Sequence, residues 1–380
     1  MKNLTDPLKQ LKNQHLYRQR KILNGQQHPH TPINGQKILN FCANDYLGLA
    51  AHPKVIEALQ KGAQKYGAGA GSAHLVNGHQ SAHHELEEAL AVFCKRPRAL
   101  LFSTGYMANM GVISALLNHQ DMIFQDRLNH ASLIDGARLS RAKLQRYPHQ
   151  DMENLKQRLA KAPKGPKIVA TDGVFSMDGD IANLKQLTLL CQQYQAWLMV
   201  DDAHGFGVLG EYGRGCTANY NIEQVPILMG TLGKAFGTFG AFIAGSEDLI
   251  ETLIQKARCY IYTTAMPGAM AHATLTSLAI AQEETWRREH LQSLIQIFKT
   301  EAMALGLPLM PSNTPIQPIM AGSSEQALKW SEQLMNQGIL VTAIRPPTVP
   351  KNAARLRITF SANHSETDLA QLLSALSQLN

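Results

Sequence analysis

Lys234 stands between two glycine turns in "ILMGTLGKAFG" (227–237), directly after an apolar run of the kind that forms a buried strand. At a strand end inside a ligand cleft, a lysine loses hydration, which disfavours its charged form and makes its amine a usable nucleophile and base. The competing reading is an ordinary loop lysine that bonds helix-terminal carbonyls, and the motif alone does not separate the two. The neighbouring motif does. "VDDAHGFG" (200–207) ends another apolar run with Asp201, Asp202 and His204. A pyridine cofactor joined to a lysine stores electrons only while its ring nitrogen stays protonated, and a carboxylate beside that nitrogen holds the proton there. Asp201 is the candidate for that carboxylate, and His204 is placed to reach the cofactor's phenolic oxygen. Taken singly, the aspartate would cap a helix and the histidine would be a loop residue. With a lysine one strand later, the three together favour a cofactor.

A phosphate also needs a cradle. "FSTGYMANMG" (102–111) follows a strand and opens a helix, so the amides near Gly105 and Tyr106 present free donors and a positive dipole end to an anion. Plain helix capping gives the same pattern. Ser176 in "GVFSMDGD" and Thr231 in "TLGK" end adjacent runs and are candidates for further bonds to the cofactor; His130 in "DRLNHASLIDG" is a candidate to stack on its ring, although a lone histidine is more often structural. The glycine-rich "YGAGAGSAHLVNGHQ" (66–80) lacks the Lys-Ser/Thr ending of a phosphate loop and follows a helical pattern rather than a strand, so it reads as backbone turns near the cleft. "HQSAHHELEE" (79–88) contains neither HExxH nor paired cysteines; it reads as a solvated helix face, and no metal site is predicted.

The elements that must position these residues are visible as alternation. Short apolar runs at 98–105, 167–176, 196–205 and 226–234 alternate with helix-period stretches at 83–94 and 182–195. The pattern predicts an α/β fold, a mainly parallel central sheet flanked by helices, with ligands beyond the carboxyl ends of the strands. After about residue 285 a long polar helix, Pro-rich connections and the alternating "ARLRITFSA" suggest a smaller α+β domain. The expected division is an amino-terminal segment, 1–45, joining the small domain; a large cofactor-binding domain, 46–285; and a carboxyl-terminal small domain, 286–380.

Lys and Arg total 36 against 29 Asp and Glu, a formal charge of +7, but the basic residues are dispersed. The excess suits a small anionic ligand rather than nucleic acid. Five cysteines without a CxxC pair argue for reduced thiols, no apolar stretch reaches the length of a membrane span, and the polar start "MKNLTDPLKQLKNQHLYRQRK" lacks the apolar centre expected of a secretory signal. A cytoplasmic location is expected.

Taken together, "NDYLGLAAHP", "FSTGYMAN", "DRLNHASLIDGARLS", "GVFSMDGDIANL", "VDDAHGFGVLGEYGRG", "TLGKAFG" and "IYTTAMP" resemble the pyridoxal phosphate-dependent α-oxoamine synthases, of the fold type I aminotransferase superfamily. The likeness covers nearly the whole chain. "VTAIRPPTVPKNAARLRIT" (341–359) is most similar to members that condense L-alanine with a pimeloyl thioester, carried on CoA or on an acyl carrier protein, and less to the glycine-using members, the alternative. The resemblance implies that Lys234 bonds the cofactor aldehyde, Asp201 pairs with its ring nitrogen, His204 with its phenolic oxygen, and His130 stacks on the ring. It implies further cofactor contacts at Gly105, Tyr106, Ser176 and Thr231. Arg345 would grip the amino-acid carboxylate, while Arg18, with Arg20 close by, and Thr348 would contact the acyl substrate. His130 is implied on the substrate side as well. The family's habit of reaching across a two-fold interface with the segment here at 259–267 implies a homodimer; an intrachain role for Thr263 and Thr264 is the plainer reading. One departure stands out: Asp172 occupies a position where the family usually has Glu.

Overall fold

The computed structural model describes residues 3–33 and 35–379. They fall into two compact units, one of His52–Phe175 and Ile181–Thr285, the other of Met1–Ala51, Ser176–Asp180 and Trp286–Asn380.

In the first unit the apolar runs become strands of a seven-stranded sheet. Their spatial order is Arg98–Phe102, Ala241–Gly245, Ile227–Thr231, Trp197–Asp201, Lys167–Asp172, Met122–Asp126 and Lys143–Tyr147. All run in one direction except Ala241–Gly245, which is antiparallel to both neighbours. The predicted, mainly parallel sheet is therefore present. Except for the edge strand Lys143–Tyr147, its strands are buried almost end to end because helices cover both faces and alternate side chains enter opposite layers. Met199 packs in one layer with Ile123 and Ala170 under the helices Gly105–Leu116, Ala131–Ser140 and Glu247–Lys256. Leu198 and Val200 pack in the other, with Phe124 and Val169, under Met152–Ala160 and Leu184–Gln193. Helix starts are set by short polar side chains: Thr104 accepts from the Met107 amide and Ser246 from that of Leu249, each at 3.2 Å. Phe124 is fully buried, so Phe124→Ala is expected to cost about 3–5 kcal/mol of stability, read as a lowered urea midpoint.

The second unit holds two three-stranded sheets among the described residues. Ile316–Gly322, Ala354–Thr359 and Thr342–Ile344 pair antiparallel, with Ala354–Thr359 central; Gln36–Asn40 lies between His30–Ile33 and Ile339–Leu340. A 19-residue helix, Trp286–Ala304, supplies Phe298, whose ring contacts Phe360. The alternating exposure expected of "ARLRITFSA" is not found, because every residue of Ala354–Thr359 is buried. The two arginines tolerate this because each is partnered: Arg355 with the Asp178 carboxylate, and Arg357 with the Ser176 carbonyl at 2.6 Å and Asn44 Oδ1 at 3.2 Å.

"HQSAHHELEE" is also less solvated than expected. His83 is fully buried: its Nδ1 accepts from the Gln80 amide at 2.9 Å, while Nε2 donates to the Met266 carbonyl at 2.7 Å. A ring with both nitrogens engaged fits a core position that the helical period alone does not reveal. No helix among the described residues is long and apolar enough to cross a membrane.

Candidate active site

Lys234 lies at the tip of the connection between Ile227–Thr231 and Ala241–Gly245. The backbone there closes on itself: Leu232 N–H donates to Gly240 O, Thr238 N–H to Leu232 O, and Gly237 N–H to Lys234 O, at 2.9–3.0 Å. Gly237 takes φ 63°, the left-handed region in which glycine carries no side-chain penalty. Thr231 ties the base of this turn, its hydroxyl donating to Gly240 O at 3.1 Å. The turn presents a half-buried Lys234 with Nζ 2.8 Å from His204 Nε2. An ammonium has no acceptor, so while charged Lys234 donates to Nε2 and the imidazole keeps its proton on Nδ1.

His204 follows the strand Trp197–Asp201, which pairs directly with Ile227–Thr231, Asp201 opposite Met229. Asp201 is 3% exposed; Oδ1 accepts from the Ala203 amide at 3.0 Å and Oδ2 from Asn109 Nδ2 at 2.7 Å. Asp202 has another task. Its Oδ2 accepts the Cys216 amide at 2.7 Å, and burial pushes its carboxyl up to about 7. Gly215 takes φ +88° beside it, where an added Cβ would fall on that same oxygen. The second aspartate thus anchors a loop, while the first is held by Asn109 and the Ala203 amide.

Asp172 sits opposite Asp201 in the sheet register. Burial, and then the charge of Asp201, push its carboxyl well above the usual range, while the His130 amide donating to Oδ2 at 2.7 Å opposes that shift. The shorter side chain found here in place of glutamate still reaches the backbone of His130. His130 opens the helix Ala131–Ser140 and stands edge-to-face with Tyr106, ring centroids 6.1 Å apart. Tyr106 lies in the first turn of Gly105–Leu116 and donates its hydroxyl to Asp135. First-turn amides of a helix have no partner within it, which suits the end of this one to an anion.

The structure therefore brings Lys234, His204, Asp201, His130, Tyr106, Gly105 and Thr231 together in one unit. The second unit gathers Arg18, Arg345 and Thr348 around a cavity of about 250 Å³ that Leu16, Ile344 and Pro346 also line. Arg18 donates to Thr348 Oγ1 at 3.3 Å, and Arg345 to the His15 carbonyl. Ser176 belongs to that unit too, its carbonyl held by Arg357. Thr264 forms an isolated bridge with Ala73 within the first unit.

Two residues of the site were not assigned from sequence: Asn109 and Ser132. Both are fully buried, and Asn109 Nδ2 donates at once to Asp201 Oδ2 and, at 2.8 Å, to Ser132 Oγ. The available signal was an asparagine in the middle of the otherwise apolar helix "GYMANMGVISAL".

Residues 36–376 match the family described as aminotransferase class I and II. The 8-amino-7-oxononanoate synthase of Thioalkalivibrio sulfidiphilus is 59% identical over 379 residues, covering 99% of this chain and 97% of that one. Among solved structures, a high-resolution structure of SPT with PLP superposes with a TM-score of 0.93 at 29% identity, covering 98% of this chain and 96% of that chain. The 8-amino-7-oxononanoate synthase from Francisella tularensis gives 0.79 at 35% identity, over 90% and 97%.

Proposed function

Since the chain belongs to the aminotransferase class I and II family, and within it to the 8-amino-7-oxononanoate synthases, we propose that Lys234 and the residues around it are the catalytic centre of that reaction. The reaction is the decarboxylative condensation of L-alanine with a pimeloyl thioester, giving 8-amino-7-oxononanoate, carbon dioxide and free thiol in biotin biosynthesis. The product's own structure sets aside the glycine-using alternative: its amino-bearing carbon carries a terminal methyl group, which alanine supplies and glycine lacks.

The cofactor is pyridoxal phosphate, and it supplies an electron sink for the bonds broken at the amino acid's α-carbon. The residues present fit it. Asp201 is a buried carboxylate whose two oxygens are held by neutral amide donors, an arrangement ready for a cationic partner such as a protonated pyridine. The observation that carries the reading is this carboxylate one strand away from an amine that sits 2.8 Å from an imidazole.

In this reading Lys234 Nζ holds the cofactor covalently and, once displaced by alanine, takes the α-proton; positioning makes a modest base effective. Asp201 keeps the proton on the pyridine nitrogen. His204 serves the phenolic oxygen, His130 stacks on the ring and contacts the substrate, and the amides of Gly105 and Tyr106 at the helix start receive the phosphate. Ser176 and Thr231 add further contacts to the cofactor. Arg345 takes the alanine carboxylate in a bidentate pair, and Arg18 and Thr348 bind the acyl substrate, a role supported by their shared cavity. Arg345→Ala should weaken alanine binding by about 10- to 100-fold, the worth of one charge-assisted pair, with the cofactor still bound. An unaltered alanine titration of the visible spectrum would remove Arg345 from this role.

The reading extends to a homodimer, supported by the family's use of the segment at 259–267, and sedimentation of the purified enzyme tests it. A cytoplasmic location is supported by five free cysteines. Mass spectrometry of the product formed from alanine and a pimeloyl thioester tests the reaction directly: a product with the mass of 8-amino-7-oxononanoate is expected, and its absence would overturn the assignment.

A further inference from the structure

Hydrogen bonds around one ring nitrogen locate a proton at the centre of this site. His130 Nδ1 lies 3.3 Å from the Ser132 backbone amide, and an amide N–H only donates. Nδ1 must therefore carry a lone pair. The Ser132 hydroxyl is 2.7 Å from the same nitrogen. That hydroxyl accepts from Asn109 Nδ2, whose other hydrogen goes to Asp201, and because Nδ1 is an acceptor the hydroxyl's own proton is directed at it. Asn109 is oriented without ambiguity, because a carboxylate oxygen accepts and an amide oxygen has nothing to donate. Ser132 and Asn109 are fully buried, so water does not compete for the bonds that run from Ser132 through Asn109 to Asp201, while the His130 residue itself is exposed.

We propose that Ser132 is a positioning residue that holds His130 as the neutral imidazole with its proton on Nε2, through a hydrogen-bond line that Asn109 anchors on Asp201. The proposal rests on the reading above, in which His130 and Asp201 both serve the cofactor ring. Its consequence is that Nε2–H is the ring's only donor, available to an acceptor on the substrate, while Nδ1 is permanently occupied. The opposite tautomer would set an Nδ1–H against the Ser132 amide N–H and turn the buried hydroxyl into an acceptor, leaving its own proton without this partner.

The charged surroundings agree with a neutral ring. Partial burial lowers the proton affinity of His130, Lys234 lowers it further, and Asp201 acts in the opposite direction. The other groups facing it are Asp172, bound to its backbone amide, and Tyr106, whose hydroxyl is held by Asp135. A hydrogen bond donated to Nδ1 favours the neutral form, so removing it must raise the imidazole's proton affinity.

The test is long-range ¹⁵N–¹H correlation on holoenzyme labelled in histidine nitrogen, without substrates, with Ser132→Ala and Ser132→Thr beside the unmodified chain. The unmodified enzyme should show the His130 proton on Nε2. In Ser132→Ala the imidazole midpoint and the acid limb of kcat/KM should both move up by about half to one pH unit, a roughly 3- to 10-fold rise in proton affinity, and threonine, which restores the hydroxyl, should reverse most of it. A proton on Nδ1 in the unmodified enzyme would overturn the proposal, as would an alanine variant with an unmoved midpoint. Should the alanine variant fail to fold, the tautomer of the unmodified enzyme decides alone. Because the spectra need no acyl substrate, failure here leaves the product assay, and the reaction it tests, untouched.

Discussion

Lys234→Ala should reduce turnover by about 10³-fold or more and erase the visible absorption of the lysine-bound cofactor, while the circular dichroism of the chain stays as it was. One atom, Nζ, is asked both to hold the cofactor and to move the α-proton. Loss of a positioned acid–base group alone costs about 10²–10⁴-fold, and loss of covalent attachment adds to that. The fold should survive because the turn carrying Lys234 is closed by main-chain bonds among Leu232, Lys234, Gly237, Thr238 and Gly240 that do not use the lysine side chain. The variant gives up the contact with His204 and the lysine's charge beside His130 and Asp172. Added amines that restore part of the rate would support the same role; an unchanged absorption spectrum would end it.

Asp201→Asn is the second large effect, expected to lower kcat by about 10²–10³-fold, the usual cost of removing one preorganised electrostatic partner from a buried site. The substitution is close to isosteric, but it removes the charge that keeps the pyridine nitrogen protonated. It also sets an amide NH₂ against one of two existing donors, Asn109 Nδ2 or the Ala203 amide. That lost bond should cost about 1–3 kcal/mol of stability, so cofactor content and thermal midpoint need measuring beside kcat. A further sign follows from the sheet register. Asp172 is pushed up first by burial and then by the charge of Asp201, so neutralising residue 201 should let Asp172 release its proton at lower pH. Wild-type turnover in the asparagine variant would remove Asp201 from its assigned place.

Much of the candidate site was legible in the sequence because its residues mark the carboxyl ends of apolar runs. Lys234, Asp201 and His204 stand out in that way, and the runs themselves became strands of the sheet. Local chemistry also gave the helix that begins at Gly105, since a strand, a small-residue turn and a capping threonine are all encoded within a few positions. Other features depend on partners far along the chain. Arg355 and Arg357 alternate with apolar residues and read as solvent-facing, yet both are buried because Asp178, Ser176 and Asn44 converge on them. His83 reads as part of a polar face and is instead sealed in by the carbonyl of Met266, 183 positions away.

The amino-acid order by itself singled out the candidate side chains and a mainly parallel sheet to present them, since apolar periodicity and turn residues act over short stretches. Only the tertiary structure decided that Asp201 faces Asp172 and Met229 across the sheet, and that Asn109 reaches Asp201 over 92 positions and Ser132 over 23. The direction of those hydrogen bonds, and with it the proton on His130, depends on donors and acceptors within about 3 Å of each other. Separation along the chain carries no information at that range, and packing of the strands and helices sets it.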